Sequence, residues 1–211
     1  MKLQGKKIAF LGDSITEGAL ASSAEKNFVT LFGKNEGATA LNYGVGGTRI
    51  ARQTKPSDWP RHDRDFVMRS DEIEKDADAV VVFGGTNDYG HGDAPFGKEG
   101  DNTVYTFCGA CEVLFGKLDK EFPRAVKVAI TPLGREGEEN PPAGKRPLAD
   151  YAAEVKAAAL RHGWHVLDFY AMCKSDPEMV EVRKKLADGL HPDDFGHAMI
   201  AKKIAEFLKT L

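Results

Sequence analysis

The chain has 211 residues, of which 42% are hydrophobic and 29% are charged, and its formal net charge is -3. This length and composition suit one domain that buries a core, so we expect a single domain over residues 1–211. The slightly acidic balance, with Lys and Arg residues spread along the chain, excludes the basic field that would hold nucleic acid. We therefore expect no nucleic-acid partner.

The sequence also argues against a membrane protein. No stretch approaches the ~20 apolar residues that a membrane-spanning helix needs. The polar N-terminus leads into a short apolar run, Ile8 to Leu11, which is too short for the core of a signal peptide. The three cysteines are too few for a disulfide framework and suit a reducing compartment. We therefore expect a cytoplasmic protein with no membrane partner.

Five apolar runs predict short, buried strands. In chain order they are residues 8–11, 38–43, 79–83, 125–130 and 166–169, and the first four end at Gly or at Thr-Pro.

Helical patterns lie between and after these runs. Apolar residues spaced by three and four predict helices over residues 103–122 and 148–160, and a last helix begins near Asp193. Strands separated by helices imply right-handed crossovers and a parallel sheet. The sequence thus predicts a three-layer α/β/α domain with about five parallel strands. Long loops over residues 88–102 and 132–147 follow strand ends, where open sheets of this kind place their ligand crevice.

Four short blocks of polar residues and glycine could carry chemistry. Gly12-Asp13-Ser14 follows the first predicted strand, where a serine hydroxyl can be exposed at the sheet edge. By itself this tripeptide is more typical of a turn and a helix N-cap, and it is not the G-x-S-x-G nucleophile elbow. Asn42 to Gly47 follows the second strand, and its glycines allow backbone N–H groups to approach a ligand, although a flexible loop has the same composition.

The other two blocks lie later in the chain. Gly85 to Asp88 follows the third predicted strand and includes Asn87, a residue type that is also common in turns. Asp188-Gly189-Leu190-His191-Pro192 places an aspartate three residues before a histidine. Such an aspartate can reach the imidazole across one turn, fix its tautomer and stabilise the imidazolium.

Together, the four blocks resemble those of the SGNH (GDSL-type) hydrolases in composition, order and position. The resemblance implies a flavodoxin-like fold and a serine esterase. Ser14 would be the nucleophile, His191 the general base, and Asp188 the residue that orients His191. The oxyanion would be held by the Ser14 N–H, the Gly47 N–H and the Asn87 amide, with Gly47 chosen because it lies five residues after Asn42. The resemblance implies no metal and no organic cofactor.

The expected substrate is a small-molecule ester with a short acyl group, acetyl above all, on a polar or carbohydrate-like alcohol. Polar, glycine-rich loops and the lack of an apolar lid segment favour this class. The alternatives are a thioesterase or lysophospholipase-type acylhydrolase, and a binding module without activity. A thiol oxidoreductase using Cys108 and Cys111 is a further alternative, but Cys111 falls on an apolar stripe and core packing is favoured.

Two further side chains attract attention near these blocks. Trp59 lies between Pro56 and Pro60, and we expect it either to form the rim of the substrate pocket or to anchor a loop. His197 lies six residues after His191, and we expect it at the surface or directly behind the site.

Overall fold

A five-stranded parallel sheet forms the centre of the computed structural model, which describes all 211 residues. The strands are β1 (Lys7–Gly12), β2 (Thr39–Gly44), β3 (Ala79–Phe83), β4 (Val126–Ile130) and β5 (His165–Leu167). Their order across the sheet is β2-β1-β3-β4-β5, and all four neighbouring pairs are parallel. This is the flavodoxin-like order, in which the ligand crevice opens between β1 and β3 at the carboxyl ends of the strands.

The position of each strand in the sheet explains its sequence pattern. β3 lies at the centre, pairs with β1 and β4, and is buried along its whole length. An unbroken apolar run is therefore required there. β2 lies at the edge and none of its residues is fully buried, which accounts for its weaker apolar pattern.

Nine α-helices surround the sheet. They are α1 (Ser14–Glu17), α2 (Phe28–Glu36), α3 (Phe66–Arg69), α4 (Thr86–Gly90), α5 (Phe107–Glu121), α6 (Leu148–Arg161), α7 (Phe169–Ser175), α8 (Pro177–Lys184) and α9 (Asp194–Lys209). Short 3₁₀ turns occur at Ala24–Lys26, Pro60–Asp63 and Ser70–Glu72. None of the helices has the length and apolar character needed to cross a membrane.

The sheet separates two hydrophobic cores, which confirms the predicted three-layer arrangement. Alternate residues of β1 point to opposite faces, as the period of a strand requires. Leu11 packs with α3, α5 and α6 on one face, whereas Phe10 packs with α2, α7, α8 and α9 on the other.

Two predicted elements differ from the structure at their ends. The helix predicted over residues 103–122 begins at Phe107, because the Thr106 side chain accepts a hydrogen bond from the Gly109 N–H and caps it. Phe169 does not extend β5 but begins α7, because Asp168 caps that helix at the Ala171 N–H. In both cases a local side-chain cap decides where the apolar pattern becomes a helix.

Candidate active site

Ser14 is the first residue of α1, directly after β1. The Asp13 carboxylate caps this helix by accepting a hydrogen bond of 3.0 Å from the Ile15 N–H. The backbone of α1 passes so close to β2 that a Cβ at Gly44 would lie 2.1 Å from the Glu17 nitrogen, so only glycine fits there. The Asn42 amide also donates to the Thr16 carbonyl over 2.8 Å. These contacts fix a half-buried Ser14 at the carboxyl edge of the sheet.

His191 and Asp188 approach Ser14 from the loop between α8 and α9. The Ser14 Oγ lies 2.9 Å from His191 Nε2, and His191 Nδ1 lies 2.7 Å from Asp188 Oδ2. Hydroxyl, imidazole and carboxylate are thus joined in one hydrogen-bonded chain, although the serine and the histidine are 177 positions apart. This is the arrangement that general-base activation of a serine requires.

The electrostatics of Asp188 favour one tautomer of the histidine. Burial raises the pKa of the Asp188 carboxyl, but hydrogen bonds from the His191 ring and from the His191 and Leu190 N–H groups outweigh it and lower the pKa to about 2. The carboxylate is therefore ionised at neutral pH and accepts the proton of His191 Nδ1. The Nε2 lone pair is then free to accept the Ser14 hydroxyl proton.

Gly47 and Asn87 line the same cleft as Ser14. Gly47 has a φ of 75°, and its N–H has no hydrogen-bond partner within the protein. Asn87 lies on α4 after β3, and one of its amide hydrogens is donated to the Thr48 carbonyl over 2.9 Å. That bond orients the amide and leaves its second hydrogen available. The structure thus brings all five predicted site residues to one edge of the sheet.

The profile of the GDSL-like lipase/acylhydrolase family matches residues 10–199, which is most of the chain. The chain belongs to this family. It is therefore a hydrolase that acts on carboxylic ester bonds.

Solved structures share the fold of this chain. A protein from Lactobacillus plantarum is 27% identical with a TM-score of 0.82, and the match covers 99% of this chain and 98% of that one. The lipase/acylhydrolase from Enterococcus faecalis is 21% identical with a TM-score of 0.67, over 97% and 96% of the two chains. A protein from Bacteroides ovatus, described as a GDSL-like lipase, is 19% identical with a TM-score of 0.67, over 99% and 100%. These last two likenesses show the fold alone. A comparison with curated proteins finds no match.

The residues that line the cleft of this acylhydrolase are mostly polar or charged, or are glycines. The cleft has a volume of about 360 Å³, and Leu190 is the one hydrophobic residue among the ten that line it. The Glu17 carboxylate accepts hydrogen bonds from Arg61 Nη2 at 2.5 Å and from the Gly46 N–H at 2.8 Å. One cation and one anion of the cleft wall are therefore paired with each other.

Arg69 supports the site, although none of the sequence motifs includes it. This fully buried side chain donates from Nη1 to the Gly12 carbonyl at 3.0 Å and to Thr48 Oγ1 at 2.9 Å, and from Nη2 to the Tyr43 carbonyl. Desolvation lowers the pKa of Arg69 to about 10. Its apolar neighbours Phe66 and Val67 are the signal in the sequence that could have suggested burial.

Two buried aspartates belong to the same edge of the sheet. Asp88 accepts hydrogen bonds from the Ile50 N–H at 3.0 Å and the Ala51 N–H at 2.9 Å, and so ties α4 to the loop after β2. Burial raises the pKa of Asp88 to about 6, and it raises the pKa of Asp13, beside the serine, to about 6 as well. These carboxyls position α1 and α4, which carry Ser14 and Asn87.

The structure also places the two side chains noted near the motifs. His197 is not at the surface but fully buried, where its Nε2 lies 3.2 Å from the Ala19 carbonyl and the Phe28 N–H donates to its Nδ1 at 3.4 Å. It thereby anchors the start of α9 to the segment after α1. Trp59 is 67% exposed, so it is not a packed anchor. Its ring lies 6.3 Å from the ring of His62, which lines the cleft.

Cys108 and Cys111 are free, buried thiols on α5. Burial raises the pKa of Cys108 to about 12, and it also raises the pKa of Cys111 well above its ordinary value. Both thiols therefore stay protonated at neutral pH, which is unfavourable for thiol–disulfide exchange. Cys111 packs in the same core as Leu114, in agreement with the predicted core role.

Proposed function

We propose that this acylhydrolase removes short acyl groups, acetyl above all, from polar or carbohydrate-like alcohols through an acyl-Ser14 intermediate. The observation that carries this proposal is the hydrogen-bonded chain from Ser14 through His191 to Asp188. It supplies a hydroxyl, a base with a free lone pair and an ionised carboxylate in the geometry that acyl transfer needs.

The residues of the cleft suggest the following steps. Ser14 Oγ attacks the ester carbonyl while His191 Nε2 takes its proton, and Asp188 stabilises the resulting imidazolium. The tetrahedral oxyanion is held by the Ser14 and Gly47 N–H groups and the Asn87 amide. The proton of His191 passes to the departing alcohol, which leaves acyl-Ser14. Water, deprotonated by His191, then releases the carboxylic acid and restores the serine.

The preference for short acyl groups follows from the lining of the cleft. A buried methylene group contributes ~0.8 kcal/mol only if it finds an apolar surface. In a cleft of about 360 Å³ with Leu190 as its one hydrophobic lining residue, a long acyl chain finds little such surface. Longer chains therefore add little binding energy, whereas a polar alcohol can bond to the cleft wall.

The test is hydrolysis of p-nitrophenyl esters from acetyl to palmitoyl by the wild type and by Ser14→Ala. Ser175→Ala is the matched control, because Ser175 is an exposed serine at the end of α7. We expect kcat/KM to be highest for acetyl or butyryl, to vanish in Ser14→Ala and to be unaffected in Ser175→Ala. A maximum at long chains, or a preference for matched thioesters, would replace this proposal by a lipase or thioesterase function. No hydrolysis by a folded wild type would favour a binding module.

A further inference from the structure

Arg49 and His91 form a contact at the edge of the cleft that the reaction steps above do not use. Arg49 is buried, and its Nη1 lies 3.0 Å from His91 Nδ1. Its Nη2 donates to the His62 carbonyl at 2.7 Å and to Asp63 Oδ1 at 3.2 Å, which fixes the guanidinium in place. A guanidinium has donors only, so His91 Nδ1 must accept this bond. The imidazole therefore carries its single proton on Nε2.

The same contact keeps His91 uncharged. Protonation of Nδ1 would set an N–H against the guanidinium N–H and remove the bond. Desolvation of the ring and the charge of Arg49 lower the pKa of His91 to about 4, and His62, Lys145 and Arg135 act in the same direction. His91 is thus a neutral hydrogen-bond donor at neutral pH.

His91 is an exposed residue at the wall of the cleft. His91 directly follows α4, and its N–H donates to the Asn87 carbonyl at 3.0 Å, so the two residues keep a fixed relation. It lines the same cleft as Ser14. Its Nδ1 edge faces the buried Arg49, and its Nε2 has no hydrogen-bond partner within the protein. The free N–H is therefore available to a molecule in the cleft.

We infer that His91 is a specificity-determining residue whose Nε2–H donates to an uncharged oxygen of the substrate, such as a hydroxyl or ring oxygen of a polyol or sugar ester. This inference rests on the proposed ester hydrolysis at Ser14. A cationic imidazolium would select carboxylate or phosphate groups, but a neutral N–H gives no such preference. The nearby Arg61 does not select anionic groups either, because its charge is paired with that of Glu17.

The test compares two acetate esters of similar size, a methyl mono-O-acetylglucoside and cyclohexyl acetate, in the wild type and in His91→Phe. Loss of a neutral hydrogen bond is expected to lower kcat/KM for the glucoside about three- to tenfold, mainly through KM. Cyclohexyl acetate has no oxygen acceptor outside its ester, so its kcat/KM should fall by a clearly smaller factor. His91→Gln, whose amide keeps an N–H at the position of Nε2, should regain much of the glucoside rate. His165→Phe, an exposed histidine on the edge strand β5, is the matched control.

Equal losses on the two esters, or a His91→Gln protein no better than His91→Phe, would overturn the role of His91 while leaving ester hydrolysis at Ser14 intact. Nitrogen-15 spectra of His91 provide a second test that needs no turnover: Nε2 should be protonated and Nδ1 unprotonated at neutral pH. A proton on Nδ1 would contradict the inference. Failure of the proposed function is separate, because it would appear as a wild type inactive on both esters.

Discussion

The Gly47 α-carbon has no room for a side chain. A Cβ there would lie 2.5 Å from the His62 Cγ, and its φ of 75° is strained for any residue with a Cβ. Gly47→Ala must therefore displace the His62 ring or rotate the Gly47 N–H away from the oxyanion. We expect kcat on p-nitrophenyl acetate to fall about 10²- to 10³-fold, which is typical for loss of one oxyanion donor.

Gly163→Ala separates this effect from backbone strain. Gly163 has a φ of 71°, but a Cβ there would meet no atom within 4 Å. Because alanine is strained in the left-handed conformation, the free energy of unfolding of this variant should fall by about 1 kcal/mol. Its kcat should be unchanged. A Gly47→Ala protein with wild-type kcat would contradict the role of the Gly47 N–H.

At the scale of elements, the short helix α3 holds the ends of two strands together. Arg69 on α3 bonds to the last residue of β1, Gly12, and to Tyr43 near the end of β2. Arg69→Met would remove a hydrogen-bond donor from three oxygen acceptors, of which the Gly12 carbonyl keeps the Val45 N–H as a donor. Each acceptor left unpaired costs ~1–3 kcal/mol, partly offset because a desolvated cation is removed. We expect a net loss of about 2–4 kcal/mol in the free energy of unfolding, measured with urea.

The control for this prediction is Arg64→Met. Arg64 is exposed and pairs with the exposed Glu72, so its loss should change stability by less than about 1 kcal/mol. An Arg69→Met protein as stable as Arg64→Met would show that α3 does not tie the strands together.

The sequence predicts an element well when its signal is a run of apolar residues, and poorly when a single capping side chain decides where the element ends. Strand β3 follows directly from five consecutive apolar residues, because full burial leaves no other choice. The ends of α5 and α7 do not follow from apolar spacing, since the caps Thr106 and Asp168 decide them. The candidate site is visible because its residues occur in short blocks. Arg69 and His91 lack such a block, and an arginine that will be buried looks like any surface arginine.

At the scale of the whole molecule, buried carboxyls make stability depend on pH. The pKa of Asp13 is raised from 3.8 to about 6 by burial, so the folded state binds a proton more tightly than the unfolded one. Between about pH 4 and pH 6 stability therefore falls as pH rises, by ~3 kcal/mol for a shift of roughly two units. Above about pH 6 the whole of this loss in the free energy of unfolding is present, and below about pH 4 there is none.

Asp13→Asn isolates this contribution. An asparagine oxygen can still accept the bond from the Ile15 N–H and cap α1, but it does not titrate. We measure how far the free energy of unfolding in urea of the variant exceeds that of the wild type. This difference should be about 2–3 kcal/mol larger at about pH 7 than at about pH 4. A difference between variant and wild type that is the same at both pH values would rule out a buried, titrating Asp13.

The whole fold also brings four distant blocks of sequence to one edge of the sheet, and we propose that this edge activates Ser14. The most direct measurement is reaction with an irreversible fluorophosphonate, followed by peptide mass spectrometry and an assay of ester hydrolysis. We expect one adduct per chain, on Ser14, with hydrolysis lost in proportion to labelling and no adduct in Ser14→Ala. Labelling at another residue, or hydrolysis that persists in fully labelled protein, would show that Ser14 is not the nucleophile.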